Sequence, residues 1–316
     1  MWFITYQRKV SGVAELVEVG GASEHTLRLG RQEAVVVEAG GGLRAYSVDG
    51  TEMVAGYAAG TMCPSARGQW LVPWPNRIRE GRYVFDGEEL STPLDPGTST
   101  AIHGLVRWLP FQVLQRDESS IRLATVLPAR PGYPWTLRVQ ASWSLDDSGL
   151  SSALWVENLS DTAAPFAAGA HPYLSVGDGF VDDATVTVPG STILLGENGM
   201  MTQRTAVDVE TDFRAPRQVG DSQLGLYTEL TRDSSGHAQT VVQRPDGWRI
   251  SLWQDESWPF VLLYTADVVS IAEGRRRSLA VEPMTAAVDA FNSGDGLVVL
   301  KPGETFHGSW GISATR

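Results

Sequence analysis

Short runs of alternating or β-branched apolar residues recur along nearly the whole chain. They occupy residues 14–19 (AELVEV), 33–39 (EAVVVEA), 120–127 (SIRLATVL), 135–145 (WTLRVQASWSL), 184–188, 240–243, 249–253, 260–266 and 297–300. Alternation with a period of two residues is typical of half-buried strands, and β-branched side chains favour an extended backbone. The pattern therefore predicts a chain built mostly of β-strands.

Turn residues separate these runs at short, regular intervals. Asp49-Gly50, Asp86-Gly87, residues 146–149 (DDSG) and residues 244–247 (RPDG) are typical hairpin turns, because glycine accepts a positive φ without steric cost. No amphipathic helical pattern stands out, and 33 glycines with 17 prolines work against long helices. We therefore expect an all-β fold: one large antiparallel sandwich spanning residues 1–316, with few short helices.

Composition and charge narrow the function classes. Hydrophobic residues make up 42% of the chain and charged residues 20%, as in globular proteins. A net charge of −12 disfavours nucleic acid and anionic membranes as partners, since both need clustered cationic side chains. No apolar run reaches the roughly 20 residues of a membrane helix, and the N-terminus does not resemble a signal peptide. We expect a soluble, cytoplasmic protein.

Several common chemical motifs are missing from the sequence. It has no dinucleotide fingerprint after a strand, no P-loop, no GxSxG elbow, and no HxH, HxxxH or CxxC spacing. The single cysteine, Cys63, rules out an internal disulfide, and its thiol is more readily understood as buried or incidental than as a nucleophile. We expect neither a metal nor a cofactor.

Polar residues in otherwise apolar surroundings are the remaining candidates. Asn76 and Arg77 lie between a proline-rich segment and a hairpin, which fits either an exposed turn or a binding site. His103 precedes Gly104 in an apolar strand, which fits either a core histidine or a catalytic one. His171 stands in AGAHPYLSV, where the following proline restricts it to an extended backbone. That restriction is expected to direct the imidazole across the sheet and away from the core.

A glutamate near the C-terminus is the most informative candidate. Glu282 lies between Val281 and Pro283, directly after an apolar strand start. Carboxylates are rarely buried unless they are paired or used. Desolvation would raise the pKa of Glu282 toward neutrality, which suits a general base working near pH 7.

Five separated motifs carry a resemblance to a known family. They are NRIREGRY (76–83), IHG (102–104), HPYL (171–174), EPMT with VDAFNSGDG (282–296) and LKPGE (300–304). In this order they resemble the aldose 1-epimerase (mutarotase) family of the galactose mutarotase-like superfamily, over roughly residues 30–315. The resemblance implies a single β-supersandwich. It also implies an isomerase that needs no cofactor and interconverts the α and β anomers of a free aldohexose.

The resemblance also assigns roles to individual residues. It implies that Glu282 is the base that removes the proton of the C1 hydroxyl, and that protonated His171 is the acid that serves the ring oxygen. Glu304 of the last motif is expected to be a turn residue without a catalytic role. The residues expected to bind the sugar are Asn76, Arg77, His103 and Tyr173.

The sequence departs from the family pattern at one carboxylate. The family usually has an aspartate that holds sugar hydroxyls, and the nearest match, QLGLYTEL (223–230), has Leu224 at that point. We expect one hydroxyl contact to be lost, or Asp255 to supply it instead.

Other functions stay open at this point. A hexose-6-phosphate 1-epimerase would need a phosphate-binding cluster, for which Arg77, Arg79 and Arg82 or residues 275–277 are candidates. A carbohydrate-binding or sensing protein could keep the fold without turnover. A glycoside hydrolase or lyase would need two carboxylates, and only Glu282 has a convincing context. As partners we expect a small sugar and either no second subunit or one identical copy.

Overall fold

The computed structural model describes residues 23–222, 224–267 and 275–316. The strand predicted at residues 14–19 and the start of the basic run at 273–279 lie outside them. Within the described residues the fold is all-β, as predicted. Helical structure there is limited to the one-turn α-helix Ala290–Ser293 and the 3₁₀ turns Pro64–Ala66 and Val181–Asp183.

A first sheet has twelve strands among the described residues. They are β1 Glu24–Leu29, β2 Gln32–Val37, β3 Leu43–Val48, β4 Thr51–Val54, β5 Trp70–Leu71, β15 Gly169–Ala170, β16 Tyr173–Ser175, β18 Gly190–Leu195, β19 Gln203–Ala206, β21 Leu226–Leu230, β24 Phe260–Tyr264 and β25 Ser278–Met284. Its main path runs β1-β2-β3-β4-β16-β25-β24-β21-β18-β19, so β16 and β25 are neighbours near the middle.

A second sheet has nine strands in the described part of the chain. They are β10 Gln112–Arg116, β11 Ser120–Leu127, β12 Leu137–Asp146, β13 Gly149–Asn158, β17 Thr185–Thr187, β20 Arg217–Gln218, β22 Ala238–Gln243, β23 Arg249–Gln254 and β27 Thr305–Thr315. Three short pairs complete the fold: β6 Arg77–Arg79 with β9 Thr100–Ile102, β7 Arg82–Phe85 with β8 Glu88–Ser91, and β14 Ala164–Phe166 with β26 Val298–Leu300.

Apolar side chains from both sheets form one large buried cluster between them. At its centre, Trp70 of the first sheet lies 5.6 Å from Trp143 and 6.0 Å from Trp310 of the second, measured between ring centroids. Tilted and edge-on aromatic pairs at such distances stabilise a core beyond their buried area. No described helix is long and apolar enough to cross a membrane.

The predicted hairpin turns are present where Asp-Gly steps occur. Asp49 and Gly50 have φ of 51° and 73° between β3 and β4, and Asp86 and Gly87 have 51° and 78° between β7 and β8. Two successive positive φ values are the geometry of the tight turn that matches strand twist.

The first sheet has a second face, turned away from the large core. Along β25, Leu279 and Val281 belong to the large core, whereas Ala280 and Met284 belong to smaller clusters on the opposite side. Because side chains alternate between faces, Glu282 lies on that outer face as well.

Candidate active site

Two neighbouring strands bring a histidine and a glutamate together on the outer face. Tyr173 of β16 is opposite Ala280 of β25, and Glu282 follows two residues later on the same side. His171, two residues before Tyr173, reaches Glu282 with 3.4 Å between Nε2 and Oε1. Only 5% of the His171 side chain and 2% of the Glu282 side chain are exposed.

The imidazole of His171 is held by its backbone and by one aromatic ring. The backbone N–H of His171 donates to the Gln69 carbonyl over 3.1 Å, and the backbone carbonyl of His171 accepts from the Gly68 N–H over 2.8 Å. The ring stacks on Tyr173 at 4.9 Å between centroids and an angle of 6°. These contacts keep the ring on the outer face, as the prolyl restriction predicted, while Ala170 and Leu174 enter the core.

His103 is fixed as a neutral hydrogen-bond donor. The Asn76 N–H donates to its Nδ1 over 3.2 Å, so that nitrogen is an acceptor and Nε2 carries the proton. Burial, reinforced by the nearby His171, holds the pKa of His103 well below its ordinary value. Its ring stands edge-on to His171, with centroids 5.2 Å apart.

The segment at Asn76 and Arg77 is part of this cluster, and the alternative of an exposed turn is wrong for Asn76, which is buried. Arg77 donates from Nη1 to the Asn76 Oδ1 over 3.1 Å. Burial lowers the pKa of Arg77, and the carboxylate of Glu282 opposes that shift. The guanidinium and Glu282 therefore act on each other electrostatically.

Burial decides the protonation of the central pair. Desolvation raises the pKa of Glu282 to about 8, with Arg77 partly offsetting the rise. Desolvation also lowers the pKa of His171 to about 3. Near neutral pH the pair thus holds one proton, and the buried free site favours it on Glu282. Glu282 Oε2 and His171 Nδ1 have no hydrogen-bond partner among the described residues, so both atoms are available for hydrogen bonding to a ligand.

Comparison with known proteins identifies the family of the chain. The family model for aldose 1-epimerase matches residues 24–313. The chain belongs to the aldose 1-epimerase family. It is 30% identical over 283 residues to the uncharacterized protein YihR of Escherichia coli K12, covering 88% of this chain and 89% of YihR.

Solved structures of the family share the fold. The putative aldose 1-epimerase of Escherichia coli K12 superposes with a TM-score of 0.78 at 21% identity, covering 93% of this chain and 99% of that one. The GalM/aldose epimerase homologue of C. elegans gives a TM-score of 0.80 at 16% identity, with the same coverage of both chains. The galactose mutarotase-like fold expected from the motifs is therefore confirmed.

The structure does not bring Asp255 to this family's motif residues. Asp255 follows β23 of the second sheet, and its two oxygens accept from the backbone N–H of Ser257 at 2.9 Å and of Ser309 at 2.6 Å. Those bonds occupy the carboxylate in shaping a turn, so we do not include Asp255 in the sugar site. Leu224 is partly buried and packs on the large core.

Two of the cationic residues proposed for a phosphate, Arg79 and Arg276, are paired with carboxylates. Arg79 pairs with Asp289 at 3.4 Å, and Arg276 pairs with Asp182 at 3.0 Å and Asp267 at 2.6 Å. Only Arg77 of the proposed cluster interacts with the central pair. The described residues contain no group of three or more histidines, cysteines or carboxylates placed to hold a metal ion.

Two residues of the site, Arg67 and Tyr264, were not predicted from the sequence. The Arg67 guanidinium lies 4.1 Å from the centre of the Tyr173 ring. Tyr264 of β24 acts electrostatically on both Arg77 and Tyr173. Neither residue stands in a distinctive motif. Tyr264 could have been found from strand alternation, since it lies on the same face as Leu262, the register partner of Glu282.

Proposed function

We propose that the protein is a mutarotase that interconverts the α and β anomers of a free aldohexose by opening and closing the ring. The single observation that supports this most is the buried contact between His171 and Glu282, which share one proton in a site that also presents uncharged and cationic donors. Ring opening needs one proton removed from the C1 hydroxyl and one delivered to the ring oxygen. A pair that holds a single proton can do both.

The proton balance closes over one cycle. In the ionised form of the pair, Glu282 takes the proton of the C1 hydroxyl while His171 gives its proton to the ring oxygen. The open-chain aldehyde then faces protonated Glu282 and neutral His171, which is the form that burial favours in the free site. After the C1–C2 bond rotates, both transfers reverse on the other carbonyl face, so neither group is consumed. General acid–base assistance of this kind contributes about 10²–10⁴-fold.

The ionised form is accessible because the two groups touch. A proton can pass from Glu282 to His171 across their 3.4 Å contact. The cation of Arg77 favours the carboxylate that remains, since it lowers the pKa of Glu282. Arg77 would also stabilise negative charge developing on a sugar oxygen.

Hydroxyl recognition is proposed for the donors around the pair. His103 presents its Nε2–H, since Nδ1 is occupied by the Asn76 N–H. Asn76 orients Arg77 through its side-chain oxygen. The aromatic ring of Tyr173 backs the imidazole of His171. We assign substrate-binding roles to these four residues and catalytic roles to His171 and Glu282.

Polarimetry tests the proposal. Freshly dissolved α-D-glucose and α-D-galactose are followed to equilibrium with the wild-type protein, His171→Asn and Glu282→Gln. We expect accelerated relaxation with the wild type and near-background rates with both variants. His237→Asn and Glu304→Gln are matched controls, because His237 stacks on Trp253 of β23 in the second sheet and Glu304 closes a surface turn with Lys301. Both controls should keep wild-type rates.

The same assay separates the alternatives. Full activity of Glu282→Gln would remove the proposed base. Strong inhibition of the free-sugar reaction by a hexose 6-phosphate would favour the phosphorylated substrate. Sugar binding without any rate acceleration by the wild type would favour a binding or sensing protein.

A further inference from the structure

Arg67 is an almost fully buried arginine beside the proposed catalytic histidine. Its side chain donates from Nη1 to the Ser278 Oγ over 3.1 Å and to the Ala55 carbonyl over 3.4 Å. Its Cζ lies 4.1 Å from the centre of the Tyr173 ring, and that ring is parallel to the imidazole of His171. The Tyr173 ring thus contacts both the Arg67 guanidinium and the His171 imidazole, and that imidazole contacts Glu282.

Backbone groups next to Arg67 form hydrogen bonds with His171 and Tyr173. Gly68 donates to the His171 carbonyl, and the Gln69 carbonyl accepts from the His171 N–H. The Tyr173 hydroxyl donates to the Ser65 carbonyl over 3.3 Å. One short segment, residues 65–69, therefore contacts residues 171–173 through both main chain and side chain.

The turn before Arg67 is built for this approach. Ser65 and Ala66 both have positive φ, at 50° and 57°, a conformation that is uncommon for residues with a Cβ. Gly68 follows with φ of 68°, and a Cβ there would lie 1.8 Å from the Leu43 carbonyl oxygen. Such unfavourable conformations persist only where surrounding contacts stabilise them, and they cluster at functional sites.

We propose that Arg67 is a positioning residue for the acid–base pair: its guanidinium, stacked on Tyr173, holds the imidazole of His171 against that ring and directed at Glu282. This inference rests on the proposed mutarotase function, since it gives a purpose to that orientation. Arg67 itself would touch neither the sugar nor Glu282. Lysine could supply the charge, but its ammonium lacks the flat surface that stacks on a ring.

The charge of Arg67 gives a readout that a purely structural role would not change. The titratable and charged groups around His171 are Arg67, Arg107, Arg77, Tyr173, His103 and Glu282. Arg67 and Arg107 both act in the same direction as burial, which lowers the pKa of His171. Removing the Arg67 charge should therefore raise that pKa, whereas loosening the fold at a distance should not.

The experiment compares Arg67→Met with Arg67→Lys. For Arg67→Met we expect kcat to fall by about 10–100-fold with KM changed by less than about threefold, because a small misplacement of a reacting group is costly. The acid limb of the kcat/KM profile should move up by about one pH unit. Arg67→Lys should lose kcat too, while its acid limb stays at the wild-type position.

The titration of His171 is also read directly by NMR of histidine-labelled protein, with His171→Asn to assign the signal among the five histidines. The pKa of His171 should rise in Arg67→Met and stay at the wild-type value in Arg67→Lys. Arg244→Met is the matched control, a buried arginine that pairs with Asp246 and the Glu52 carbonyl. It should lower the melting temperature without moving the His171 titration.

Three outcomes would overturn the inference. These are wild-type kcat in Arg67→Met, an unchanged His171 titration in that variant, or, if Arg67→Met does not fold, wild-type kcat in Arg67→Lys. Failure of the proposed function looks different, because the wild-type protein would then fail to accelerate anomerisation of any aldohexose. In that case the NMR titration still decides whether Arg67 acts on His171.

Discussion

The Nε2 atom of His171 lies 3.4 Å from the Oε1 atom of Glu282, and both side chains are almost completely buried. Burying two ionisable groups this way disfavours the charged form of each. Burial of this pair therefore lowers the stability of the fold, and it leaves a single proton that transfers easily between the two groups. Such an exchange of stability for reactivity is common at active sites.

Glu282→Gln should stabilise the protein in a pH-dependent way. The pKa of Glu282 is raised from 4.5 to about 8 in the folded state, so the folded protein binds this proton more tightly than the unfolded chain. The stabilisation that comes from this tighter proton binding is complete below pH 4.5 and is lost as the pH rises through about 8. Glutamine does not ionise. The unfolding free energy of the variant minus that of the wild type should therefore be about 2–5 kcal/mol larger at pH 8.5 than at pH 4.5.

Urea unfolding of both proteins at the two pH values measures that gain. Glu304→Gln, at a surface turn, serves as the control and should show no such difference between the two pH values. A Glu282→Gln advantage that is the same at pH 4.5 and pH 8.5 would contradict the raised pKa.

The catalytic rate should be nearly flat across neutral pH. The pair keeps one proton between the acid limb, where neutral His171 gains a second proton, and the alkaline limb, where the pair loses its last one. Since the pKa of His171 is lowered to about 3 and that of Glu282 is raised to about 8, both limbs lie outside the pH 5–7 range. Polarimetry from pH 4 to pH 9, corrected for the uncatalysed rate, checks this. An acid limb near pH 6.5 would show that His171 titrates as an exposed histidine does.

His103→Asn should separate sugar binding from folding. The Oδ1 of asparagine can take the place of the His103 Nδ1 and accept from the Asn76 N–H, and asparagine tolerates the φ of 63° at this position. The variant loses the Nε2–H that we propose donates to a hydroxyl. We expect kcat/KM to fall about 3–15-fold, as for one neutral hydrogen bond, with the melting temperature nearly unchanged. A wild-type kcat/KM in a folded variant would remove His103 from the site.

Gly104→Ala should damage the fold beside His103. Gly104 has φ of 69°, and a Cβ there would lie 2.2 Å from the Val72 carbonyl oxygen. We expect a loss of about 2–4 kcal/mol in unfolding free energy, because backbone must move. Gly87→Ala is the control: its φ of 78° is similar, but nothing lies within 4 Å of the added Cβ. Equal losses in the two variants would show that φ alone decides the cost.

Local chemistry let the sequence predict most of the architecture. The segment 120–127 forms β11 over those same residues, and the Asp-Gly steps form the expected turns. The separated motifs also identified side chains that the structure brings together, namely His171, Glu282, His103, Asn76, Arg77 and Tyr173. Asp255, the expected substitute for the missing family aspartate, instead accepts hydrogen bonds from two backbone N–H groups of a turn.

What the sequence determined by itself was the alternation of the strands, their turns and the kinds of polar side chain set among them, because these depend on neighbours a few residues away. Only the tertiary structure decided that β16 and β25 are adjacent with Tyr173 opposite Ala280, which brings an imidazole onto a carboxylate. It also decided how far both are desolvated, and that Arg67 stacks beside them. Strand order, register and burial arise from contacts distant in sequence, and pKa values follow burial.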